Sequence, residues 1–459
     1  MSEKLFNDLS IFNFLAKDLI NDEVENGISL KVKPTELLNR FDISLEDEGI
    51  SEERFVSALK DIILHTPKTS GRLFFNQLFG GLNSKSVIGD LLSVLLNNSM
   101  ASYKIAGPMV EVEKEITRKV SKIISYPETF GGTLPTGGSM SNFMALVIAR
   151  DKKHPESKKT GNTSELVCYS SEDSHYSMGK NASFAGIGRE NVRYIETNEK
   201  GEMISSELFL QIEKDIKNGK IPFFVNATIG TTVMGAIDPI DEIADICKKH
   251  NIWMHVDGAY SGTVIFSEKY NHLVKGIEKS DSFCFNAHKT LGTPLSTSIF
   301  LTKEKTDLYN SFSNEADYLY QTDDGDYNLG QTSFECGRRN NALKFWTLWK
   351  SVGTNGISEM VENNYYLADI ARNYIRCNSD YTLHSFDNSL SVCFNYKGKN
   401  AKQLCTELYN NNKLMVGYGE HKGKTFIRLV LINRENTKQD ILNFFNILEE
   451  FAENNMLVS

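Results

Sequence analysis

"IPFFVNATIGTTVMGAIDPIDEIADICKKHNIWMHVDGAYSG", residues 221–262, contains the pattern that decides the fold. Its apolar opening, PFFVNATI, predicts a buried strand, and IWMHV near its end predicts another. The segment between them predicts a helix, because its apolar residues recur at i, i+3, i+4 and i+7: Ile240, Ile243, Ala244 and Cys247. Strand, crossover helix and strand imply a parallel sheet, whose ligands gather at the carboxyl ends of its strands.

The ends of this helix carry their own signals. Asp238 is predicted as the N-cap, followed by Pro239 at the first helical position. At the other end, the cations of KKH, residues 248–250, favour the negative end of the helix dipole. We therefore expect the helix to span about residues 238–250.

A second stretch, SFCFNAHKTLG (282–292), ends a strand-like run in Lys289. Asp257 likewise follows the end of the strand IWMHV. Because the carboxyl ends of parallel strands meet at one edge of a sheet, we expect Lys289 and Asp257 to lie close together.

A lysine in that position predicts a site for pyridoxal phosphate. It can form a Schiff base with an aldehyde if burial helps it to lose its proton. The cofactor also needs a carboxylate for its ring nitrogen, donors for its phosphate and a flat neighbour for its ring. Asp257 supplies the carboxylate, LPTGGSMSN (134–142) a glycine turn with Ser139 and Ser141 before a helix, and His175 a stacking ring.

These motifs together resemble the group II pyridoxal phosphate-dependent amino acid decarboxylases of fold type I, especially the glutamate and cysteine sulfinate decarboxylase branch. The resemblance runs from FFNQLFGGLN (74–83) to FIRLVLINREN (426–436). Between these ends, ATIGTTVMGAIDPIDEIADIC, HVDGAY, NAHK and ECGRRNNALKFW each have close counterparts in the family.

The resemblance implies a role for each residue of the cofactor site. Lys289 is then the Schiff-base lysine, Asp257 the partner of the ring nitrogen and His175 the stacking imidazole. Ala259 is expected beneath the other face of the ring. The remaining expected cofactor contacts are Ser139, Met140, Ser141, Thr228, Asn286 and His288, with Thr228 also near the scissile carboxylate.

A loop and three further residues complete the implied site. The segment 314–333 is rich in Asp, Asn, Gly and Tyr and is typical of a loop that closes on substrate. Its Tyr318 matches the family's proton donor. For substrate binding, the resemblance implies Gln77 and Arg428, and an arginine suits a second carboxylate. Ala101 stands where relatives typically have a bulky aromatic residue, which indicates an enlarged pocket.

We therefore expect an enzyme that removes the α-carboxylate of an L-amino acid, and the resemblance favours an acidic one such as glutamate, cysteine sulfinate or aspartate. Three alternatives stay open. The substrate could be aromatic or otherwise bulky, as Ala101 suggests. Transamination or carbon–sulfur cleavage would use the same Lys289 and Asp257. A regulatory or binding protein on a decarboxylase scaffold would need Lys289 or Tyr318 to be idle.

Composition and charge disfavour several classes of binding partner. The formal net charge is -9, without a long basic run, so nucleic acid and anionic membranes are poor partners. No apolar run approaches the length of a membrane span, and the N-terminus lacks the pattern of a signal peptide. The seven cysteines form no C-x-x-C pair, which disfavours a zinc site or disulfide framework and favours a cytoplasmic enzyme.

The expected fold is α/β, of the aspartate aminotransferase-like type that the resemblance implies. We expect a mostly helical N-terminal segment (1–90), a large cofactor-binding domain with a mainly parallel sheet (91–350) and a small α+β C-terminal domain (351–459). The resemblance also implies a homodimer with active sites at the subunit interface.

Overall fold

The structure, a computed structural model, describes residues 2–26, 28, 32–162, 164–313, 320 and 325–454. Its strands are β1 Phe74–Phe75, β2 Gly131–Thr133, β3 Leu166–Ser171, β4 Val192–Ile195, β5 Ile221–Thr228, β6 Trp253–Gly258, β7 Ser282–Asn286, β8 Ser298–Thr302, β9 Tyr381–Leu383, β10 Ser391–Tyr396, β11 Met415–His421 and β12 Lys424–Val430. Its helices are α1 Ser2–Asn26, α2 Leu37–Arg40, α3 Glu52–His65, α4 Ser84–Leu96, α5 Tyr103–Ala106, α6 Met109–Ile123, α7 Gly138–Lys153, α8 Ser157–Thr160, α9 Ser177–Phe184, α10 Ser205–Lys217, α11 Ile240–His250, α12 Ala287–Thr290, α13 Lys305–Phe312, α14 Ala342–Arg376, α15 Ala401–Asn410 and α16 Lys438–Asn454.

The larger sheet has seven strands in the order β2-β8-β7-β6-β5-β3-β4. Neighbours from β7 to β4 pair in parallel, whereas β8 runs antiparallel to both β7 and β2. Strand β5, helix α11 and strand β6 form the predicted crossover unit. The predicted α/β class with a mainly parallel sheet is thus confirmed.

Apolar cores cover both faces of this sheet, as parallel sheets require. Helix α7 and helix α9 pack on one face, where Phe224 and Cys284 contribute to the core. The other face carries Val225 and Val256, packed against α6, α11 and α14. Because successive residues of a strand point to opposite faces, β5 and β6 are buried on both sides.

A second, five-stranded sheet follows the order β1-β11-β12-β10-β9. The two residues of β1 come from the N-terminal segment and pair in parallel with β11, whereas the other pairs are antiparallel. Helices α15 and α16 cover this sheet, and Phe75 packs edge-on against Phe444 of α16. Residues before position 90 therefore build part of the C-terminal unit.

Helix α14 passes from the larger sheet to the smaller one. Gly353 interrupts it with φ 69° and ψ 177°, a conformation that glycine adopts without steric cost. The predicted domain boundary at residue 350 lies three residues before this kink. The division at residues 90 and 350 stays a prediction.

The prediction that Asp238 caps α11 is wrong. Pro239 is the N-cap, and α11 begins at Ile240. The Asp238 carboxylate instead accepts backbone N–H groups of Met203 and Thr228, both at 2.7 Å. Both partners are distant in sequence from the helix start, so a local capping rule could not find them.

Across the described ranges of the chain, no helix combines the length and the apolar character needed to cross a membrane.

Candidate active site

A cavity of about 220 Å³ opens where β5, β6 and β7 end and α7 begins. It is lined by Gly138, Ser139, Asn142, His175, Tyr176, Thr228, Gly230, Thr232, Asp257, Ala259, Tyr260, Asn286, His288 and Lys289. The parallel strands bring these residues together, because their carboxyl ends share one edge of the sheet.

Lys289 lies in α12, immediately after β7. Burial lowers the pKa of its ammonium group, while the nearby Asp257 carboxylate opposes that shift. A lysine with a lowered pKa has more of the unprotonated amine that attacks an aldehyde. The location and the electrostatics both suit a lysine that binds a carbonyl compound covalently.

Asp257 ends β6 with 4% of its surface exposed. One carboxylate oxygen accepts the side-chain amide of Asn142 at 2.7 Å, and the other accepts the backbone N–H of Ala259 at 3.0 Å. A buried carboxylate needs such partners to stay ionised. Its remaining acceptor capacity suits a cationic N–H group in the cavity.

Helix α7 points its N-terminus at the cavity. Its first N–H groups, at Gly138 and Ser139, have no acceptor within the helix and favour an anion. A Cβ atom at Gly138 would come within 2.8 Å of the Ala259 Cβ and 3.2 Å of the Asn286 amide nitrogen. Glycine therefore lets the helix start approach the two strand ends closely.

Asn286 and His288 present donors beside this helix start. The Asn286 side-chain oxygen accepts the hydroxyl of Ser298, which leaves its amide group as a donor. His288 Nδ1 accepts the backbone N–H of Thr297 at 2.9 Å. Nδ1 also lies 3.0 Å from the Thr297 carbonyl oxygen, and burial lowers the pKa of His288 to about 4, so the ring is neutral at neutral pH and carries one N–H.

His175 follows β3 and Thr228 ends β5, and both line the cavity with Asp257. Burial lowers the pKa of His175, with Asp257 opposing the shift and Lys289 adding to it. Its Nδ1 accepts the backbone N–H of Ser177 at 3.3 Å. A neutral imidazole with a fixed orientation suits a flat ring in the cavity. Thr228 ends β5, and its own N–H is bound to Asp238.

Two predicted cofactor residues do not line the cavity. Met140 packs against the core between α7 and the sheet. Ser141 is fully buried, and its hydroxyl donates to the Gly137 carbonyl at 3.2 Å. Their roles in cofactor binding stay predictions.

The three predicted substrate residues lie outside the lining. Arg428 of β12 reaches the cavity edge indirectly, because it donates to the carbonyls of Thr232 at 2.9 Å and Asn76 at 2.8 Å. Gln77 is exposed on the segment after β1. Ala101 is buried, and its carbonyl accepts the N–H of Gly330 at 2.8 Å. Tyr318 lies outside the described residues.

Several lining residues were absent from the sequence prediction, among them Asn142, Thr232 and Tyr260. Asn142 closes the LPTGGSMSN motif, and Thr232 belongs to the GTT turn after β5. Only the LPTGGSMSN stretch was identified as a turn before a helix. Asn142 is the fifth residue of α7, one turn beyond Gly138, so helical periodicity places it on the same face as the helix start.

Residues 34–397 match the conserved domain of the pyridoxal-dependent decarboxylases. Among curated relatives, the acidic amino acid decarboxylase GADL1 of Bos taurus is 36% identical over 432 residues, covering 89% of this chain and 83% of that protein. The cysteine sulfinic acid decarboxylase of Homo sapiens is 31% identical over 465 residues, covering 95% of this chain and 94% of that protein.

The crystal structure of mouse CSAD has the same overall fold. It superposes with a TM-score of 0.90 at 30% sequence identity, covering 97% of this chain and 99% of that one. The expected fold type I architecture is thereby confirmed.

Proposed function

The chain belongs to the pyridoxal-dependent decarboxylase family, and from that membership we propose that it removes the α-carboxylate of an acidic L-amino acid, releasing carbon dioxide and the amine. Its cofactor is pyridoxal 5'-phosphate. One observation carries the proposal. A single cavity brings together the buried Lys289, the hydrogen-bonded carboxylate of Asp257 and the N-terminus of α7.

The residues present fit the phosphate of the cofactor. The N–H groups of Gly138 and Ser139 and the amide of Asn286 are donors, which an anion requires, and the neutral His288 ring lines the same part of the cavity. The close approach of Gly138 to Ala259 and Asn286 forms a cradle that a Cβ atom would fill. These four residues would hold the phosphate.

The ring end fits equally well. Asp257 would pair with the ring nitrogen, His175 would stack on the ring and Ala259 would lie at its other face. When bound, the cofactor supplies an electron sink for the electrons left behind as the carboxylate departs. The Asp257 carboxylate would favour a protonated ring nitrogen, and a protonated ring would draw electrons more strongly.

We propose that Lys289 binds the cofactor and that Tyr318 acts as the proton donor. Lys289 would hold the cofactor covalently through its aldehyde, which the lowered pKa of the amine assists. Tyr318, in the segment before Asn328, is proposed as the donor that returns a proton to the substrate carbon. Its loss should divert protonation to the wrong carbon and release the cofactor in its amine form.

The proposal of an acidic substrate draws on the relatives and on Arg428. The curated relatives named above act on acidic amino acids or cysteine sulfinic acid, as their names state. Arg428 lies half-buried behind Thr232, which lines the cavity. We propose that Arg428, together with Gln77, recognises the second acid group of the substrate.

We propose a homodimer whose interface completes the substrate end. The buried small residues of α4 pack on α14, which leaves an apolar face of α4 exposed. Its exposed side chains are Ile88, Leu91, Leu92, Val94, Leu95 and Leu96. Contiguous exposed apolar surface of this kind marks protein interfaces.

We also propose a cytoplasmic location. All seven cysteines are free thiols, and five of them are buried. Unpaired thiols are typical of a reducing compartment.

A second candidate, decarboxylation of an aromatic amino acid, is favoured by Ala101. Its side chain is small, and its Cβ lies close to Gly330 in a buried position. A small residue there would leave room for a bulky substrate if residue 101 lies next to the cavity of the neighbouring subunit in the dimer.

One experiment separates the candidates. The purified, cofactor-loaded protein is offered aspartate, glutamate, cysteine sulfinate, phenylalanine and tyrosine, and carbon dioxide and amines are measured. We expect release from at least one acidic substrate at a rate well above the aromatic ones. The Lys289→Ala variant controls for release that does not depend on the site. Release from aromatic substrates alone would contradict the proposed specificity, and silence with all five would contradict the proposed activity.

A further inference from the structure

A line of buried polar side chains runs beneath the cavity on the face of the sheet covered by α7. Trp253, His255 and Asp257 occupy alternate positions of β6 and therefore share that face. Ser282 of β7 is paired with His255 across the two strands. Asn142 of α7 lies over them. Of these five residues, none exposes more than 7% of its surface.

Four consecutive hydrogen bonds join them. The indole N–H of Trp253 donates to Ser282 Oγ at 2.9 Å. Ser282 Oγ lies 2.9 Å from His255 Nδ1. His255 Nε2 lies 3.1 Å from Asn142 Oδ1, and Asn142 Nδ2 donates to Asp257 Oδ2 at 2.7 Å. The line thus begins at an indole and ends at the carboxylate that faces the cavity.

The carboxylate of Asp257 sets the direction of the bonds from Asn142 to His255. An ionised carboxylate only accepts, so Asn142 must turn its NH₂ group toward Asp257 and its oxygen toward His255. His255 Nε2 must then carry a proton.

The other end is compatible with the same direction. The indole of Trp253 only donates, so the Ser282 oxygen accepts there and its own proton is available to His255 Nδ1. The carboxylate end therefore selects the tautomer of His255, the neutral form with its proton on Nε2, and the indole end accommodates it. Burial agrees with this, since it lowers the pKa of His255 to about 4.

We infer that this directed chain is a positioning device, in which Ser282, His255 and Asn142 hold a fixed N–H donor against Asp257 and so fix the orientation of its carboxylate toward the cofactor. The part that concerns the cofactor rests on the proposed function, because it requires Asp257 to face the ring nitrogen. These three residues are positioning residues, since none of them needs to touch the reacting atoms.

The first test is the tautomer of His255 in the protein without cofactor. Nitrogen-15 labelling of the histidine rings gives shifts that distinguish an Nε2 proton, an Nδ1 proton and an imidazolium. The His255→Gln variant assigns the resonance by its disappearance. We expect a neutral ring with the proton on Nε2 from pH 6 to pH 8. A proton on Nδ1, or an imidazolium in that range, would overturn the direction of the chain.

The second test measures cofactor binding by titrating the apoprotein with pyridoxal phosphate and following visible absorbance. Asn142→Leu and Ser282→Ala should weaken the affinity by roughly 10-fold to 100-fold, by analogy with the loss of hydrogen-bond partners of metal ligands. The His255→Gln variant retains a donor for Asn142 and should lose less than His255→Leu. The visible band of the bound cofactor should also shift in Asn142→Leu, which a general loss of stability would not cause.

Ser280→Ala is the matched control. Ser280 is as buried as Ser282 and two residues away, but its hydroxyl bonds with Tyr126 and the Ile277 carbonyl. We expect its cofactor affinity and band position to stay at the wild-type values. Unchanged affinity in both Asn142→Leu and Ser282→Ala would overturn the role of the chain toward Asp257.

Failure of the proposed function would look different. In that case the protein would release carbon dioxide from none of the amino acids offered, yet His255 would still have its Nε2 proton. The tautomer therefore tests the chain independently of the reaction.

Discussion

The candidate site has two parts, a cofactor end made of the predicted cofactor residues and a substrate end made of the predicted substrate residues. A single chain brings together most of the cofactor end but not the substrate end. All of the predicted cofactor residues except Met140 and Ser141 line one cavity. Gln77, Ala101 and Arg428, the predicted substrate residues, lie outside that lining. The cofactor end is built by parallel strands that end side by side, so its geometry follows from the fold of one chain. The substrate end draws on segments from other parts of the chain, and we propose that a second subunit completes it.

The largest expected effect is at the cofactor end. Lys289→Ala removes the amine that binds the cofactor covalently, so the visible absorbance of the bound cofactor and all measurable turnover should disappear. Absorbance and carbon dioxide release are measured on the purified variant. Lys269→Ala, at an exposed lysine, is the control and should behave like the wild type. A Lys289→Ala protein with a normal spectrum and rate would contradict the assignment of the cofactor end.

The pH dependence of folding stability tests the cofactor end in the protein without bound cofactor. Burial lowers the pKa of His255 to about 4, below the value near 6.5 expected in the unfolded chain. The unfolded state therefore binds more protons between these values, and folding stability is lost as the pH falls through this window. From pH 7 to pH 5 this single histidine should cost roughly 2 kcal/mol.

Urea denaturation of the apoprotein at both pH values measures this difference. His255→Gln should lose less stability over the interval, whereas His272→Gln, at an exposed histidine, should follow the wild type. An identical loss in His255→Gln and the wild type would show that His255 does not titrate abnormally.

At the substrate end, Arg428→Met should lower kcat/KM for acidic substrates by roughly 30-fold or more, as expected for the loss of an arginine that pairs with a carboxylate. Because Arg428 also holds the carbonyls of Thr232 and Asn76, the comparison across substrates decides its role. A selective loss with acidic substrates supports recognition of the second carboxylate. An equal loss with every substrate would show that Arg428 only holds the backbone at Thr232 and Asn76 in place. Arg434→Met, at an exposed arginine, is the control.

If a second subunit completes the substrate end, activity should depend on protein concentration. Leu92→Glu puts a charge on the exposed apolar face of α4 and should weaken a homodimer. At nanomolar protein we expect activity to fall about tenfold, corresponding to about 1.4 kcal/mol of association free energy. Leu210→Glu changes a similarly exposed leucine on α10 and should have no such effect. Sedimentation of a monomeric wild type with full activity would contradict the idea that a partner completes the substrate end.

The smallest effect is expected at Ala101. Ala101→Phe should shift the ratio of kcat/KM toward short acidic substrates by roughly three- to tenfold, because it reduces the space available to a bulky side chain. Overpacking against Gly330 should also lower the melting temperature. Ala106→Phe, at an equally buried alanine, separates the two effects. If both variants show the same substrate ratio as the wild type, Ala101 has no part in specificity.

The sequence predicted the crossover from β5 to β6 well, because its apolar periodicity and strand ends are local signals. It also placed Lys289 and Asp257 at one edge of the sheet. It did not predict that β1 joins the smaller sheet, since that pairing joins residues more than 300 positions apart. Asp238 was misassigned for the same reason, because its partners are fixed by tertiary contacts.

The sequence contains a pattern that indicates the positioning residues, and this pattern was not used in the sequence-based prediction. In WMHVD, polar or aromatic residues alternate with apolar ones, and Ser282 and Cys284 continue the same face on β7. Polar residues at period two inside a strand buried on both faces need partners on that face. Which partners they have depends on α7, whose packing the sequence alone does not give.

The most direct measurement of the central claim locates the covalent attachment of the cofactor. The holoprotein is reduced with borohydride and digested with trypsin, and the peptides are identified by mass spectrometry. We predict the added phosphopyridoxyl group on Lys289, within an uncleaved peptide spanning residues 280–303. Attachment to a different lysine, or an unmodified and cleaved Lys289 in protein that had bound cofactor, would contradict the account.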